Sequence, residues 1–587
     1  MEQSRQPNQQ GVIGPGREPG EASQPKDGTS RPEQSPPRLS ATPTYLQELS
    51  REYLNIRVLD PLTAYRIKGQ DSLQPTAFLA DSLLVRGRHP GTIGALEQAA
   101  DDAGFALEWD PKGPQDDALV ERARSAARDL TAADPERAGL LAEQIDALAN
   151  VWVRRVRLVV PVDPREPVFK PIDTWRLLQA YRVRVAGDKD RLSDVALEHP
   201  AVAGPATGSH PLTNSHPLTN SHPLTNSHPL TNSHGIDQYA EMGTGGRQPV
   251  NWVGPGPAED AALEGALRPL VALLDTGVGK HPWLGPDVVT REPEVLGQPL
   301  GIPAGELRAE REGIVDLLQG GLDVDSGHAT FIAGLVRQAC PDARILDIRL
   351  FGNSGVVAEA DLLRSLQLLA LRQLLARAGH PDYRPVDVVT MSLGYYHETP
   401  EDPSFDALLS GPLRVLGQHG VAVVVSAGND ASARPIYPAA FAPHPGGPQD
   451  DPSAVPVTAV GALNPNSTIA LFSNEGPWVR FRRAGASLVS TMPTTYNASL
   501  QPTQAVRNTR REWRATIDAD DFSSGFGVWS GTSFAAPVFA GQLAAELLRR
   551  RLDPAAAAET PVTRLRDLLQ SMPGRIQHPA QTGSVPS

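Results

Sequence analysis

The chain has 587 residues, of which 40% are hydrophobic, so it can bury a sizeable core. Its 54 basic and 67 acidic residues leave a formal net charge of −13. Because an acidic surface repels phosphate backbones, we expect no nucleic-acid partner. The single cysteine, Cys340, excludes an intrachain disulfide and is expected to be a small buried residue.

Polar, low-complexity segments are expected at both ends of the chain. Residues 1–43 are rich in Pro, Gly, Gln and Ser and are predicted to be a disordered tail, as are residues 573–587. The N-terminus has no apolar stretch typical of a signal peptide, and no apolar run approaches the ~18 residues of a membrane span. We therefore expect no membrane partner and a cytoplasmic location, with unconventional export as the alternative.

Residues 44–205 are predicted to form an α+β module. The sequence FLADSLLVRG at 78–87 predicts a strand, and GTIGALEQAADDAG at 91–104 predicts a helix. Helical patterns continue over 117–130, 138–153 and 172–183, with an alternating strand pattern at 153–162. We find no catalytic constellation in this module.

A tandem repeat follows, in which SHPLTN occurs four times over 209–232. The recurring histidines suggest metal binding, but the His-Pro pairs favour an extended polyproline II backbone. At ~3.1 Å per residue, histidines six positions apart would lie about 19 Å from one another, too far to share an ion. We therefore interpret 206–235 as a linker and predict no metal site, with metal binding as the alternative.

Residues 236–572 are predicted to form an α/β domain. Apolar strand patterns alternate with amphipathic helical patterns; the strands lie at 268–278, 343–351, 385–396, 421–430 and 455–463, and the helices at 360–379 and 412–420. Such alternation predicts a parallel sheet covered by helices on both faces. Ligands of such sheets bind beyond the carboxyl ends of the strands.

Four polar residues fall at those positions. Asp275 ends one strand, His328 starts a helix, Asn429 ends another strand, and Ser533 opens the last long helix. A hydroxyl becomes a nucleophile when a base removes its proton, and that base is oriented by a third group. Taken singly, each residue could be an ordinary turn or helix-cap residue. The order Asp, His, Ser therefore points to acyl transfer only because the whole set occurs together.

The sequences around these residues resemble those of subtilisin-like serine peptidases, the subtilase family. LLDTGV, SGHATFIAG, SAGN and SGTSFAAP resemble the family's four motifs in order, and the resemblance covers about residues 265–550. Two positions depart from the usual pattern: Ala329 stands where the family usually has Gly, and Phe534 where Met is common. The resemblance implies a subtilisin-like parallel sheet with helices on both faces, preceded by the smaller α+β module.

The resemblance also implies the role of each residue. Ser533 would attack the scissile carbonyl of a polypeptide substrate, His328 would take and return the proton, and Asp275 would orient the imidazole. The side-chain amide of Asn429, with the Ser533 backbone N–H, would form the oxyanion hole.

A substrate cleft between two strands is implied by the same resemblance. An extended peptide would pair its backbone with both strands. The residues expected to bind it are Ser392, Leu393, Gly394, Ser354, Gly355 and Gly428. Ile436 would lie at the floor of the first specificity pocket and make it shallow, favouring small or medium apolar side chains.

Residues 494–529 are predicted to contain an inserted hairpin near the cleft. We expect no required cofactor; the family often holds structural calcium, but no acidic loop here locates such a site. His281 and His380 are expected to be surface residues.

Three functional hypotheses remain at this point. The first is an active serine endopeptidase. The second is a latent or regulated protease in which residues 44–205 act either as a propeptide or as a sensing domain with its own protein partner. The third is an esterase or peptide ligase, because a triad determines acyl transfer but not the acceptor.

Overall fold

The computed structural model describes residues 54–67, 73–87, 89–132, 134–161, 171–203, 239, 242–243, 245–302, 321–322, 325–351, 355–399 and 407–575. The predicted N-terminal tail, the SHPLTN linker and Ser354 lie outside the described residues.

Strands and helices are numbered here in chain order. The strands are β1 Ile56–Leu59, β2 Thr76–Leu79, β3 Ser82–Arg86, β4 Ala106–Trp109, β5 Val153–Val159, β6 Val195–Leu197, β7 Pro200–Ala203, β8 Gln248–Pro249, β9 Leu270–Asp275, β10 Val289–Arg291, β11 Glu294–Val295, β12 Gln298–Pro299, β13 Arg344–Arg349, β14 Val356–Ala358, β15 Val388–Met391, β16 Leu393–Tyr396, β17 Ala422–Ser426, β18 Ile436–Tyr437, β19 Thr458–Leu463, β20 Phe481–Ala484, β21 Leu488–Thr491, β22 Ala505–Arg507, β23 Trp513–Ala515 and β24 Phe526–Trp529. The helices are α1 Pro90–Asp102, α2 Gly113–Leu130, α3 Pro135–Asn150, α4 Thr174–Arg184, α5 Lys189–Leu192, α6 His328–Ala339, α7 Glu359–Ala378, α8 Ala407–Gln418, α9 Thr532–Leu552 and α10 Pro561–Ser571.

The N-terminal module is built on an antiparallel sheet in the order β4-β5-β3-β6. Residues of β3 and β5, such as Val85 and Val156, pack with Trp175 of α4 in a core of the module's own. The single strand predicted over 78–87 is wrong. A turn at Ala80 and Asp81 divides it into β2 and β3, which belong to different sheets.

Helices α2 and α3 connect the N-terminal module to the rest of the chain through packing contacts. Leu119 of α2 and Ile145 of α3 belong to the same buried cluster as Leu366 of α7. The apolar stripes of α2 and α3 recur at helical spacing, so each helix can turn one face toward α7 while its polar face stays in water. The N-terminal module is therefore packed against the α/β domain.

The α/β domain is built on a seven-stranded sheet in the order β10-β13-β9-β15-β17-β19-β20. All six pairings between neighbouring strands are parallel. Helices α7 and α8 pack on one face, and α6, α9 and α10 pack on the other. The predicted fold class is confirmed: a parallel sheet with helices on both faces, preceded by a smaller α+β module.

The central strands are continuous apolar runs because both faces of the sheet are covered. Every residue of β9, from Leu270 to Asp275, is buried. β9 and β17 end at the same edge of the sheet, so Asp275 and the loop that carries Asn429 come close together.

Two predictions concern segments outside the central sheet, the insertion at 494–529 and the C-terminal end of the domain. β22 and β23 pair antiparallel, which places a hairpin inside 494–529 as predicted. The packed chain continues to Arg575, because Arg483 donates to the carbonyl of Pro573 at 3.1 Å and the Arg482 amide donates to Gly574 at 2.8 Å. The described chain therefore extends past residue 572, where we placed the end of the α/β domain. Among the described helices, none has the length and apolarity required to cross a membrane.

Candidate active site

Asp275 and His328 meet at the carboxyl edge of the sheet. Asp275 is the last residue of β9, and His328 is the first residue of α6, after Gly327 at φ +86°. The His328 ring nitrogen Nδ1 lies 2.8 Å from Asp275 Oδ1 and 3.0 Å from Oδ2. A carboxylate only accepts hydrogen bonds, so Nδ1 carries the proton and the neutral ring has its lone pair on Nε2.

Burial and charge act in opposite directions on His328. Its ring is fully buried, which disfavours the charged form, but the charge of Asp275 and its hydrogen bond outweigh burial and raise the pKa of His328. Within the part of the chain that the structure describes, Nε2 has no hydrogen-bond partner. The ring is therefore oriented by Asp275 and keeps a nitrogen that can take a proton.

Ser533 is held at the start of α9. It is the second residue of that helix and is 1% exposed. Its carbonyl accepts a 2.8 Å hydrogen bond from the Ser392 hydroxyl. The ring of Phe534 packs against the ring of His328 with centroids 5.2 Å apart, which brings the start of α9 beside the imidazole. The first N–H groups of a helix have no partner within the helix, so they favour negative charge at this position.

Asn429 is anchored to the same helix by Thr532. The Asn429 Oδ1 atom accepts hydrogen bonds from the Thr532 amide and hydroxyl, each at 2.8 Å. The Thr532 hydroxyl also accepts from the Gly428 amide at 3.2 Å. Because Oδ1 accepts both of these hydrogen bonds, the NH₂ group is the part of the Asn429 side chain that can donate. Thr532 was not among the predicted site residues, and the sequence signal for it is its place directly before Ser533.

A cavity of about 350 Å³ lies beside Ser533. Its lining includes four of the six predicted substrate-binding residues together with two of the predicted catalytic ones: Ser392, Leu393, Gly394 and Gly428, and Asn429 and Ser533. Ile436 stands between two of its glycines: a Cβ added at Gly394 would lie 2.8 Å from Ile436 Cγ1, and one at Gly428 would lie 3.2 Å from Cδ1. The space beside Gly394 is therefore filled by the Ile436 side chain.

The predicted cleft strands do not lie open to solvent. β7, from the end of the N-terminal module, is hydrogen-bonded between them in the order β14-β7-β16-β18, with every pairing antiparallel. Val202 is opposite Gly394, and the Ala203 amide donates to the Gly355 carbonyl at 2.9 Å. The backbone pairing that we predicted for an extended peptide is thus made by residues of this chain.

Of the two histidines expected on the surface, His281 is placed differently. It is 5% exposed and lies edge-on to Phe526, with ring centroids 5.1 Å apart. Its Nδ1 atom accepts from the Trp283 amide at 3.0 Å. Burial lowers the pKa of His281 to about 4. The prediction was wrong because an isolated histidine carries no periodic signal of burial.

The comparison with protein families decides which group this chain belongs to. Residues 268–571, about half of the chain, match the Peptidase_S8 family, described as the subtilase family. The chain belongs to the subtilase family. The match includes Asp275, His328, Asn429 and Ser533, and it begins after the N-terminal module and the repeat.

Curated relatives of this subtilase share about a quarter of the aligned residues. Subtilisin Savinase of Lederbergia lenta is 26% identical over 246 residues, which are 40% of this chain and 70% of that protein. An alkaline protease of Alkalihalobacillus alcalophilus is 26% identical over 40% of this chain and 49% of its own length. A subtilase-type proteinase of Saccharomyces cerevisiae is 25% identical over 42% of this chain and 40% of its own length. The chain thus spans less than half the length of the last two.

Solved structures with similar folds include the protease domain of PatA, with 21% identity and a TM-score of 0.34, covering 54% of this chain and 91% of that one. A cold-adapted subtilisin-like serine proteinase has 19% identity and a TM-score of 0.31, covering 57% and 93%. A lanthipeptide protease has 18% identity and a TM-score of 0.33, covering 51% and 79%.

Proposed function

We propose that this subtilase is a serine endopeptidase that uses Asp275, His328 and Ser533. The observation that carries the proposal is the His328 ring, held at 2.8 Å by Asp275 through Nδ1, with a buried Nε2 that has no partner among the described residues. A ring in this tautomer can act as a general base. Ser533 supplies the hydroxyl at the start of α9, and the ring of the next residue, Phe534, lies against the His328 ring with centroids 5.2 Å apart.

The reaction proceeds in two acyl-transfer steps. Nε2 of His328 removes the Ser533 proton as Oγ attacks the scissile carbonyl, and the imidazolium that forms is stabilised by Asp275. The same proton then goes to the leaving amine, and water repeats the sequence on the acyl-enzyme. The Asn429 NH₂ group and the Ser533 N–H stabilise the negative charge on the tetrahedral oxygen.

Reaction with a fluorophosphonate tests the nucleophile directly. Full-length protein and a Ser533→Ala variant would be treated with the probe, with Ser523→Ala, an exposed serine outside the site, as the matched control. We expect labelling of the parent and of the control and none of Ser533→Ala. Equal labelling of all three proteins would show that another group reacts and would exclude Ser533.

We further propose that the full-length chain is latent because β7 occupies the substrate cleft. The support is the antiparallel pairing of β7 with both cleft strands. Two ion pairs add to the docking of the module: Arg364 contacts Asp116 at 2.8 Å, and Arg155 contacts Asp361 at 3.1 Å. Each ion pair joins the N-terminal module to α7.

A substitution that removes the backbone N–H of Ala203 tests whether β7 makes the chain latent. Ala203→Pro removes the N–H that donates to Gly355, whereas Ala203→Ser keeps it at nearly the same side-chain volume. We expect Ala203→Pro to label at least about 10-fold faster than the parent, which corresponds to roughly 1.4 kcal/mol of lost docking free energy. Equal rates for the three proteins would mean that β7 does not restrict access to Ser533.

The substrate class follows from Ile436. Its side chain fills the space beside Gly394, so we propose that the first specificity pocket accepts small or medium apolar side chains. The partners of the enzyme are then polypeptides with such residues before the cleaved bond.

A further inference from the structure

A second group of titratable side chains lies at the other end of the cleft. His199 directly precedes β7, Glu359 is the first residue of α7 just after β14, and Glu398 follows β16 by two positions. All three are at most 3% exposed. The group therefore sits where both cleft strands end, and the mechanism above does not use it.

His199 contacts a carboxylate through each of its ring nitrogens. Nδ1 lies 2.9 Å from Glu359 Oε2, and Nε2 lies 3.0 Å from Glu398 Oε2. Carboxylate oxygens accept and do not donate, so both nitrogens carry protons and the ring is an imidazolium. Burial opposes this charge, but the hydrogen bonds to Glu359 and Glu398 raise the pKa of His199 to about 10.

Backbone and ring contacts hold the same histidine in place. The His199 amide donates to Glu359 Oε2 at 3.1 Å, and the Glu359 amide donates to the His199 carbonyl at 2.9 Å. The ring stacks on Tyr395 with centroids 4.7 Å apart and planes 8° apart. The Tyr395 hydroxyl donates to Glu359 Oε1 at 2.8 Å. The ring is thus held by two carboxylates at its edges and an aromatic face.

Among the residues that the structure describes, Arg182 and His397 also face this group. Arg182 of α4 lies 3.8 Å from Glu398 Oε1, and His397 Nε2 lies 3.5 Å from Glu398 Oε2. The His397 Nδ1 atom accepts from the Thr399 amide at 3.0 Å, so the nitrogen that can donate toward Glu398 is Nε2. Atoms of His199, His397 and Glu398 lie within 4.8 Å of one another, as metal ligands would. Each His199 ring nitrogen lies within hydrogen-bond distance of a carboxylate oxygen, and such a pair of acceptors fits a cation that carries two N–H donors.

We propose that Glu359 and Glu398 form a subsite that recognises a protonated histidine side chain of an extended peptide, and that His199 occupies it in the full-length chain. The proposal rests on the proposed function, because substrate would pair with the same two strands. A peptide bound in the register of β7 would place its histidine three residues before the residue that lies opposite Gly394. In this chain, His199 lies three residues before Val202, which is opposite Gly394. A flat ring with donors on opposite edges reaches both carboxylates at once, which a glutamine or lysine side chain does not.

Binding within the chain is tested without any cleavage. In a Ser533→Ala background, hydrogen exchange would be followed at the amides of Ala203 and Glu359, which bond across β7. We expect His199→Gln and Glu398→Gln each to speed exchange at both amides at least about 10-fold, since a buried charge is left unpaired. The exposed His89→Gln is the matched control. Faster exchange in β3 as well would mean general unfolding and would count against a local role.

Recognition of other peptides needs a second measurement. In a full-length chain with Ser533→Ala, Ala203→Pro and His199→Gln, which leaves the subsite without its own histidine, a fluorescent peptide of residues 197–203, LEHPAVA, would be compared with the same peptide carrying glutamine for histidine. We expect the histidine peptide to bind at least about 10-fold more tightly, and Glu398→Gln to remove the difference. Equal binding of the two peptides, absence of binding by both, or tighter binding only when Zn²⁺ is added would overturn the proposal. Failure of Ser533 to react with a fluorophosphonate even in the Ala203→Pro chain, where β7 is loosened, would overturn the proposed function alone.

Discussion

The Nδ1 atom of His328 lies 2.8 Å from Oδ1 of Asp275, and the same carboxylate oxygen accepts the Thr276 amide at 2.7 Å. The Asp275 carboxylate is thus fixed by the amide of the next residue while it orients the imidazole. Two residues that are 53 positions apart meet because one ends a central strand and the other begins the helix that crosses behind it.

Replacement of Asp275 by Asn would place an N–H or a carbonyl against Nδ1 and favour the wrong tautomer. We expect the rate of fluorophosphonate labelling to fall by about 10⁴. In the parent, the raised pKa of His328 should place the acid limb of the pH–rate profile above the ordinary value of about 6.5, and the variant should move it downward. The exposed Asp382→Asn serves as the control. An unchanged rate and profile in Asp275→Asn would remove Asp275 from the mechanism.

The Asn429 side chain has an oxygen that accepts hydrogen bonds and an NH₂ group that donates them, and a substitution can remove the donor while keeping the acceptor. Asn429→Asp keeps the oxygen that accepts from Thr532 but has no NH₂ group. We expect turnover to fall by about 10²–10³, a range that includes the measured loss for such a donor in subtilisin itself. The Michaelis constant and the melting temperature should change little. Kinetics on a peptide substrate in the Ala203→Pro background would show this, with the exposed Asn497→Asp as control. Full activity of Asn429→Asp would contradict an oxyanion role.

Ile436 should determine the size of the accepted side chain. Ile436→Ala opens the space beside Gly394, so we expect the ratio of kcat/KM for peptides with Phe over Ala before the cleaved bond to rise at least about 10-fold. The more exposed Ile469→Ala, in the same background, controls for a general loss of volume. A parent enzyme that already prefers Phe, Tyr or Arg would contradict a shallow pocket.

His281 should make the folded chain sensitive to acid. Its pKa is lowered to about 4, so the unfolded chain binds a proton below about pH 6.5 that the folded chain does not bind until about pH 4. The contribution of His281 to the free energy of unfolding is on the order of 2–4 kcal/mol. It is fully present above pH 6.5 and is lost as the pH falls to about 4. Denaturant titration at several pH values would compare the parent with His281→Asn, whose side-chain oxygen can still accept from Trp283. An equal fall in stability in both proteins would assign the effect to other groups.

The amino-acid sequence by itself determined the α/β architecture and the candidate site. The strands around Asp275 and Asn429 are continuous apolar runs, and such runs indicate strands buried on both faces wherever they lie in space. The polar residues stand at the ends of those runs, so parallel topology alone brings them to one edge. His281 could not be placed in this way, because one histidine among Gly and Pro residues has no periodicity.

Only the tertiary structure decided what fills the cleft. Residues 200–203 read PAVA, a stretch too short and too small to indicate a partner, and their pairing joins segments more than 150 positions apart in the chain. His199, Glu359 and Glu398 are likewise distant in sequence and ordinary in context. Long-range pairing depends on the shape and hydrogen-bonding edges of the folded domain, and these exist only after the sheet and its helices have assembled.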